Sequence, residues 1–385
     1  MKLEFKEEHE LIRQTVRAYC EEKVAPIARE HDAASTFPRE TIAGLAELGM
    51  LGLVVPPEYG GNEVDMLSLA IAIEEIARVD GGHALSVSAH NGLCTSHLVM
   101  AASEELKAHY LPRLAAGDYM GAWALTEPGS GSDATSMRTR AVRDGDEWVL
   151  NGAKSLCTNA NYAGVLVVMA RTEGERGSQG ISAFAIEPDT PGLTIGQDED
   201  KLGVRASPAA PISLEDCRVS ESALVGELHN AFPDVLRVLD GGRIGIGAMA
   251  VGLAQGALDA SLRYALDRES FGQPIYDFQA IQFMLADMAT QLEAARLLVY
   301  RSAHRKQAGL PFKKEAAMGK LYASEAAMRI TTKAVQIHGG YGYIKDFPVE
   351  RMFRDAKLTE IGEGTSEVQR LVIAREILRS SDPTS

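Results

Sequence analysis

The periodicity of the sequence changes twice along its 385 residues, and this order restricts the fold more than any other feature. Up to about residue 118, apolar residues recur at helical spacing, as at Ile12, Val16 and Tyr19. The apolar run Met66–Asp80 indicates a buried helix that stops at the two glycines after Asp80. We therefore expect residues 1–118 to form an N-terminal helical domain.

Between about residues 119 and 230, short β-prone runs such as EWVLNG, GVLVVMAR and GISAFAIEP alternate with turn residues. Asp144-Gly145 and Asn151-Gly152 are turn signals between such runs. From about residue 231 onwards, four long helical patterns follow one another with short links. The sequence thus predicts an α+β fold, in which a middle β domain over 119–230 separates the first helices from a C-terminal four-helix bundle over 231–385.

The charge balance of the chain restricts its partners. The formal net charge is −14, from 39 basic and 53 acidic residues, which argues against a general nucleic-acid-binding surface. Four cysteines without CxxC spacing indicate reduced, buried thiols. The N-terminus lacks an apolar signal core, and we find no run of about 18 apolar residues that predicts a membrane span. We therefore expect a cytoplasmic protein that binds neither nucleic acid nor membrane.

The segment ALTEPGSGSD follows the probable strand MGAWAL and combines a proline and two glycines with hydroxyl side chains. Its hydroxyls are those of Thr126, Ser130 and Ser132. Backbone N–H groups in such an irregular turn can bind a flat polar ring or a phosphate. An ordinary tight loop of a β domain would have the same composition, and the segment lacks the G-x-G-x-x-G pattern of dinucleotide-binding folds.

Two further segments end predicted helices. In DRESFGQPI, Arg268 could pair with a phosphate and Phe271 could stack, although a basic residue at a helix C-terminus is also favoured by the helix dipole. In VQIHGGYG, three glycines allow close approach of a ligand or simply stop the helix. His338 is of a kind that is more often structural than catalytic, and the spacing of His9 and His304 suggests no ligand set, so we predict no metal site.

The segment GEGTSE places Glu363 between Gly362 and Gly364, with Thr365 as a possible N-cap of the helix VQRLVIAREIL. A carboxylate in such a turn can point into a cavity. It can equally be an ordinary acid at a helix N-terminus, where it is mildly stabilising.

In combination and in this order, these motifs resemble the acyl-CoA dehydrogenase family along essentially the whole chain, and most of all its short-chain, butyryl-CoA type. The resemblance is carried by PPEYGG, ALTEPGSGSD, WVLNGAK, DEDKLGVRAS, LEDCRV, LDGGRIGIGAMAVGLAQGALD, DRESFGQPI, VQIHGGYGY, FRDAK and EGTSEVQRLVIAREIL.

The resemblance implies a non-covalently bound FAD and oxidation of a short or medium acyl-CoA to the trans-2-enoyl-CoA; Gly362, where most relatives have Tyr, leads us to expect that branched short chains are used as well. It also implies electron transfer to electron-transfer flavoprotein and a homotetramer built as a dimer of dimers. The family's catalytic base corresponds to Glu363. Positions that contact flavin or CoA correspond to Thr126, Ser132 and Thr158, and FAD-contacting positions after the base to Thr365 and Glu367. Positions that reach a neighbouring subunit's FAD correspond to Arg268, Phe271, Gln336, Gly339 and Gly340. Positions on the substrate side correspond to Ser132, Asp240, Arg243 and Gly364.

The chain departs from the family pattern at three places. Gly362 stands where most relatives have Tyr, Leu156 stands where they have Trp, and GELHNAF replaces a glycine-rich turn at 226–232. Some relatives carry the base at the position of Gly242, where this chain has no carboxylate, and this strengthens Glu363. Two alternatives remain open: a flavin oxidase or monooxygenase on the same fold, and a non-catalytic acyl-CoA-binding scaffold.

Overall fold

The computed structural model describes residues 5–174 and 177–381. Its α-helices are α1 Glu7–Tyr19, α2 Ala25–Ala34, α3 Arg39–Glu47, α4 Met66–Ala77, α5 Gly81–Ala89, α6 Ser96–Ala101, α7 Glu104–Ala116, α8 Phe232–Asp267, α9 Gln279–Gln307, α10 Lys313–His338, α11 Val349–Thr359 and α12 Ser366–Ser381. Its strands are β1 Met120–Ala124, β2 Arg140–Asp144, β3 Glu147–Thr158, β4 Ala163–Arg171, β5 Ile181–Ile186, β6 Leu193–Ile195, β7 Ala209–Ser220, β8 Leu224–Val225, β9 Glu269–Ser270 and β10 Gln273–Pro274. The order of helices, strands and helices confirms the predicted fold class, while the domain bounds stay a prediction.

Helix α4 is the buried helix predicted from the run Met66–Asp80. Asp65 caps its N-terminus by accepting a hydrogen bond from Ser68 N at 2.8 Å, and every residue from Leu67 to Ala77 is buried. The helix ends at Ala77, just before the predicted stop, and Asp80 also caps the next helix, α5, by accepting from His83 N at 3.0 Å. Glycine at Gly81 is required by packing, since a Cβ there would lie 2.8 Å from Asp355 Oδ2.

The β domain is one sheet with the strand order β6-β7-β3-β2-β4-β5-β8, and β1 pairs parallel to β4. The turn at Asp144-Gly145 is confirmed, because it joins the antiparallel strands β2 and β3. The turn at Asn151-Gly152 was wrong: both residues lie within β3, where the register shifts against β7. Gly152 has φ 148°, and a Cβ there would meet Thr139 Cα at 2.7 Å. The glycine therefore serves a β-bulge.

Strand β4 is buried on both faces. Val165, Val167 and Met169 belong to the core between the sheet and α6–α7, whereas Leu166 and Val168 belong to the core on the opposite face. This alternation follows from the two-residue period of a strand. The parallel neighbour β1 is buried at four of its five residues, so the loop after β1 starts from the protein interior.

Helix α8 is the central element of the C-terminal helices. Its small residues allow close packing as predicted, since a Cβ at Gly252 would lie 2.2 Å from Glu74 O and one at Gly256 would lie 2.1 Å from Arg78 O of the α4 segment. By length and composition α8 could also span a membrane, but 89% of its most apolar window is buried inside the protein. The bundle contains a further helix, α11, beyond the four patterns read from the sequence.

Buried charges join α4 to α1 and α9. Glu75 accepts hydrogen bonds from Arg13 at 3.0 Å and from Arg17 at 2.9 Å, and Glu74 accepts from Arg296 at 3.0 Å. Both carboxylates are almost completely buried, so their guanidinium partners are needed to offset desolvation. The four cysteines are free and buried, as predicted.

Candidate active site

Glu363 lies in the tight turn between α11 and α12. Its φ is 52° and that of Gly364 is 92°, so two successive residues adopt left-handed backbone conformations. Thr365 caps α12, as predicted, because its hydroxyl accepts from Val368 N at 3.4 Å. Of the two flanking glycines, only Gly364 is required by its φ; a Cβ at Gly362 would make ordinary contacts with Leu358 at 3.5–3.7 Å. Glu363 itself therefore bears the backbone strain of this turn.

The carboxylate of Glu363 points inward, against α8. Its Oε2 atom is buried and has no hydrogen-bond partner. A Cβ at Gly242 would lie 1.9 Å from this oxygen and 3.4 Å from Leu93 Cδ2, so the glycine of α8 provides the space that the carboxylate occupies. In the described residues, the backbone N–H of Glu363 donates to no acceptor. One residue thus offers a free carboxylate oxygen and a free N–H.

The surroundings of Glu363 adjust its proton affinity in two directions. Burial raises the pKa of the Glu363 carboxyl to about 7, while the positive charges of Lys320 and Arg243 act to lower it. Arg243 is paired with Asp240 one turn earlier on α8, and burial is also the main cause that raises the pKa of Asp240. A carboxyl that titrates near neutral pH is suited to accept a proton from a weak carbon acid.

A second group of predicted residues lies at the end of β1. Thr126 O accepts from Ser155 N of β3 at 2.8 Å, which ties the TEPGSGSD loop to the strand that carries Thr158. Ser132 is exposed, and the loop glycines Gly129 and Gly131 face open space. The loop therefore presents the Ser132 hydroxyl and the backbone around the two glycines outward, whereas Ser130 is buried and its hydroxyl donates to Asp133 O at 2.6 Å.

The loop is anchored from inside by two residues that the sequence analysis did not single out. Glu127 accepts hydrogen bonds from Lys154 Nζ at 2.8 Å, from Arg138 N at 2.6 Å and from Thr139 N at 3.0 Å. Lys154 is completely buried. The available signal was an acid inside a glycine-rich loop followed by a lysine within a β-prone run.

Leu156, one of the departures from the family pattern, lies beside this loop. Strand β3 shifts register between Lys154 and Cys157, and Leu156 has φ 56°. Its side chain is 59% exposed as a result. Leu156 thus stands in a strained bulge, on the outside of the sheet, at the place where the resemblance led us to expect an aromatic side chain.

A third group surrounds a surface cleft of about 530 Å³ at the C-terminal end of α8. The cleft is lined by cationic and aromatic side chains, among them Arg263, Tyr264, Arg268, His338, Tyr341 and Phe347. Gln336 lies exposed in the last turn of α10, just before the cleft residue His338. The glycines Gly339 and Gly340 follow directly, and a Cβ on either would meet no atom within 4 Å. Phe271, at the tip of the β9–β10 hairpin, is 95% exposed.

His338 is structural, as expected, because its Nδ1 lies 2.8 Å from Ala334 O and its ring stacks on Tyr264 at 4.3 Å.

The first and third groups lie at opposite ends of α8. A helix rises about 1.5 Å per residue, so Arg243 and Arg268 are about 38 Å apart along its axis. Within one chain, the cleft at Arg268 and the Glu363 site therefore cannot surround the same part of a ligand.

One cluster has the composition of a metal site. Glu8, His9 and Asp65 bring ligand atoms within 4.8 Å of one another. The ring of His9 is already engaged on both sides, because Nδ1 accepts from Lys6 N at 3.1 Å and Nε2 lies 2.9 Å from Asp65. These contacts account for the histidine as a helix-capping residue, and the absence of a metal stays a prediction.

Comparison with known proteins identifies matching family models along most of the chain. The models described as acyl-CoA dehydrogenase N-terminal, middle and C-terminal domains match residues 6–118, 122–217 and 232–378. A short-chain-specific acyl-CoA dehydrogenase of Clostridium acetobutylicum is 47% identical over 372 residues, 97% of this chain and 98% of the relative.

Solved structures are similar over nearly the full length. Butyryl-CoA dehydrogenase from Megasphaera elsdenii is 40% identical with a TM-score of 0.96, covering 98% of this chain and 100% of that one. A structure described as electron transferring flavoprotein of Acidaminococcus fermentans is 44% identical with a TM-score of 0.96, covering 98% and 100%. The prolyl acyl carrier protein oxidase AnaB is 34% identical with a TM-score of 0.93, covering 97% and 100%. An acyl-CoA dehydrogenase complexed with FAD from Bacillus anthracis is 35% identical with a TM-score of 0.92, covering 98% and 68%.

The contact between Gly242 and Glu363 leads to a prediction. In Gly242→Ala, the added methyl group would lie 1.9 Å from Oε2, so the Glu363 carboxylate must move away from α8 toward solvent. We expect its pKa, about 7 in the wild type, to fall by about one unit or more as desolvation is relieved. The carboxyl band in infrared difference spectra against Glu363→Gln measures this titration.

Gly241→Ala is the matched control, because its methyl group would meet only the flexible end of Lys306, 2.6 Å from Nζ. We expect no change there. An unchanged carboxylate position and titration in Gly242→Ala would contradict the packing described above.

Proposed function

The chain belongs to the acyl-CoA dehydrogenase family, and from this we propose that it oxidises a short acyl-CoA to the trans-2-enoyl-CoA with Glu363 as the base. The observation that carries the proposal is the buried, unpartnered Oε2 of Glu363 next to the unpaired N–H of the same residue. Removal of an α-proton needs an acceptor for the proton and stabilisation of the negative charge that develops on the thioester oxygen. The carboxylate supplies the first and the N–H is available for the second.

FAD is the family's cofactor, and the residues of this chain fit it. The open backbone of the TEPGSGSD loop and the hydroxyls of Thr126, Ser132 and Thr158 suit a polar ring system. The arginines and aromatic rings of the cleft at Arg268 suit a diphosphate and an adenine. When bound, FAD supplies the acceptor for the β-hydrogen and its electron pair. The chain's own contribution is to hold the α-proton, the thioester oxygen and the acyl chain in place.

We predict that Glu363→Gln retains FAD and binds acyl-CoA but loses flavin reduction by substrate. Removal of a general base costs roughly 10²–10⁴-fold in typical enzymes, and Gly242 offers no substitute. Anaerobic stopped-flow bleaching of the flavin by butyryl-CoA measures the rate. Glu325→Gln, a matched change at an acid that pairs with Arg370 on the surface, should leave it unchanged. Near-normal reduction in Glu363→Gln would refute the assignment.

Gly362 supports an acyl pocket that admits bulk. A Cβ at this position makes only ordinary contacts, so the glycine leaves space where relatives carry a tyrosine ring. Gly92 adds further space, because the nearest atom to a Cβ there is Gly242 Cα at 4.0 Å. We therefore propose that short acyl chains branched at the α or β carbon are substrates along with straight ones.

For this proposal the test is Gly362→Tyr. We expect kcat/KM for isobutyryl- and isovaleryl-CoA to fall relative to butyryl-CoA by roughly 10–200-fold, the range that one or two methylene-sized contacts provide. Butyryl-CoA is the internal control for folding and FAD content. If the ratios are those of the wild type, the pocket is filled by another side chain and the substrate is an ordinary straight chain.

We also propose a homotetramer in which FAD is held between subunits. Support comes from Phe271, exposed to 95% at a hairpin tip, and from the cleft at Arg268, about 38 Å along α8 from Arg243. We expect Phe271→Asp to weaken both assembly and FAD retention. In sedimentation velocity recorded at the flavin absorbance, no flavin should then sediment at the rate of a monomer. A monomer with full FAD occupancy would contradict the proposal.

The electron acceptor has two candidates. Electron-transfer flavoprotein is the one we favour, in view of the similarity to the Acidaminococcus fermentans structure. Oxygen is the second, because Leu156 is exposed where relatives carry an aromatic ring and because the similar protein AnaB is an oxidase. Substrate-bleached enzyme that regains its colour quickly in air and releases peroxide is an oxidase, and slow recovery indicates a dehydrogenase.

A further inference from the structure

A buried lysine holds the turn that carries Glu363. Lys320, from α10, is 0% exposed, and its Nζ donates a hydrogen bond to the carbonyl oxygen of Gly364. Gln369 Nε2 donates to the same oxygen at 2.7 Å. Two donors on one carbonyl fix the peptide group that follows the left-handed Glu363 and Gly364. The strained turn is thereby held from the α10 side and from α12.

The backbone at Lys320 is tightly packed between neighbouring helices. Its Cα lies where α8 crosses α10, 3.6 Å from the place that a Cβ on Gly247 would take. The preceding residue, Gly319, packs against the backbone of Leu298 in α9, since its Cβ would lie 3.2 Å from Leu298 O. The lysine backbone is therefore enclosed by two helices, and the side chain extends toward the Glu363 turn.

Lys320 differs from the other deeply buried lysine described above. Lys154 is paired with Glu127 at 2.8 Å, as a buried cation normally is. In the residues that the structure describes, Lys320 forms no such salt bridge; its direct partner is a carbonyl. The charged groups that face it are Glu363, Arg243, Glu360 and Glu367. Among these, Glu363 has the largest electrostatic effect, so the cation is balanced chiefly by the base itself.

We propose that Lys320 is the positioning residue of the base: it holds the Gly364 carbonyl so that Glu363 faces the substrate, and its ammonium group is the principal counter-charge of the Glu363 carboxylate. This rests on the proposed function of Glu363. The charged groups that face Glu363 are Lys320 and Arg243. Arg243 is already paired with Asp240, whereas Lys320 has no carboxylate of its own. Lys320 is thus the principal counter-charge.

The two titrations leave a working range around neutral pH. Burial lowers the pKa of Lys320 to about 8, and burial raises the pKa of Glu363 to about 7 against the effect of the cation. Between these values the base is ionised and the lysine still carries its proton. An opposite charge within a few ångströms shifts a carboxyl pKa by about 1–3 units, so loss of the lysine charge should protonate Glu363 at pH 7.

The test is Lys320→Met, which keeps the unbranched chain as far as Cε and removes the charged amino group. In protein without substrate, we expect the infrared carboxyl titration of Glu363, identified against Glu363→Gln, to move up by about 1–3 units. In FAD-loaded enzyme, flavin reduction by butyryl-CoA at pH 7 should fall by about 5–500-fold, because the ionised fraction of Glu363 falls by that factor, and should recover above the new pKa. A rate lowered equally at all pH values, with an unchanged titration, would overturn the charge role.

Two variants separate the charge from the fold. Lys333→Met makes the same change in the same helix at a lysine that pairs with Asp287 at 3.3 Å near the surface, and should leave the Glu363 titration unchanged. Lys320→Gln keeps an N–H donor without the charge. If Lys320→Met does not fold, this variant tests whether the charge of Lys320 affects the Glu363 titration. The infrared titration does not depend on activity, so it decides the role of Lys320 even if Glu363→Gln were to disprove the base.

Discussion

The Oε2 atom of Glu363, enclosed without a hydrogen-bond partner, sets a requirement that neighbouring elements meet in different ways. Helix α8 has no side chain at Gly242, and this leaves the space that the Oε2 atom fills. Helix α10 meets it with the charge of Lys320, and α12 meets it with Gln369, which helps to fix the turn. A buried carboxylate with less support would stay protonated and could not act as a base. The packing of α8, α10 and α12 therefore determines whether Glu363 can act as a base.

The same reasoning explains why α8 is so rich in glycine. Gly252 and Gly256 bring the helix against the carbonyls of the α4 segment, and Gly247 brings it against α10 at Lys320. These contacts lie between the Glu363 site and the cleft at Arg268. Since α8 is held along its length by close backbone approach, its two ends are fixed relative to each other. A cofactor bound at one end of α8 would therefore contact a helix whose position is fixed.

Much of the fold could be predicted from the sequence, because periodicity and capping are local. The order of helices and strands, the hairpin at Asp144-Gly145 and the cap at Thr365 all follow from a few adjacent residues. Asn151-Gly152 was misread because a bulge and a turn require the same residue types, and only the pairing with β7 distinguishes them. Lys320 could not be found, since its partner lies 44 residues away in sequence, and the weak signal for Lys154 does not specify a partner 27 residues away. The sequence motifs identified Glu363 as the candidate base. The burial of its carboxylate arises from tertiary contacts, which the motifs do not describe.

Gly242 and Glu363 have a consequence for the history of such a site. A side chain at one position and the carboxylate of the other claim the same volume, as the separation of 1.9 Å requires. The base can therefore reside on α8 or on the turn before α12, and a side chain at position 242 displaces the Glu363 carboxylate from its place against α8. A lineage that moves its base from one to the other has to change two codons. If the carboxylate on α8 is gained first, it displaces the Glu363 side chain from the shared space; if Glu363 is lost first, no carboxylate remains there, so the order of the two changes matters.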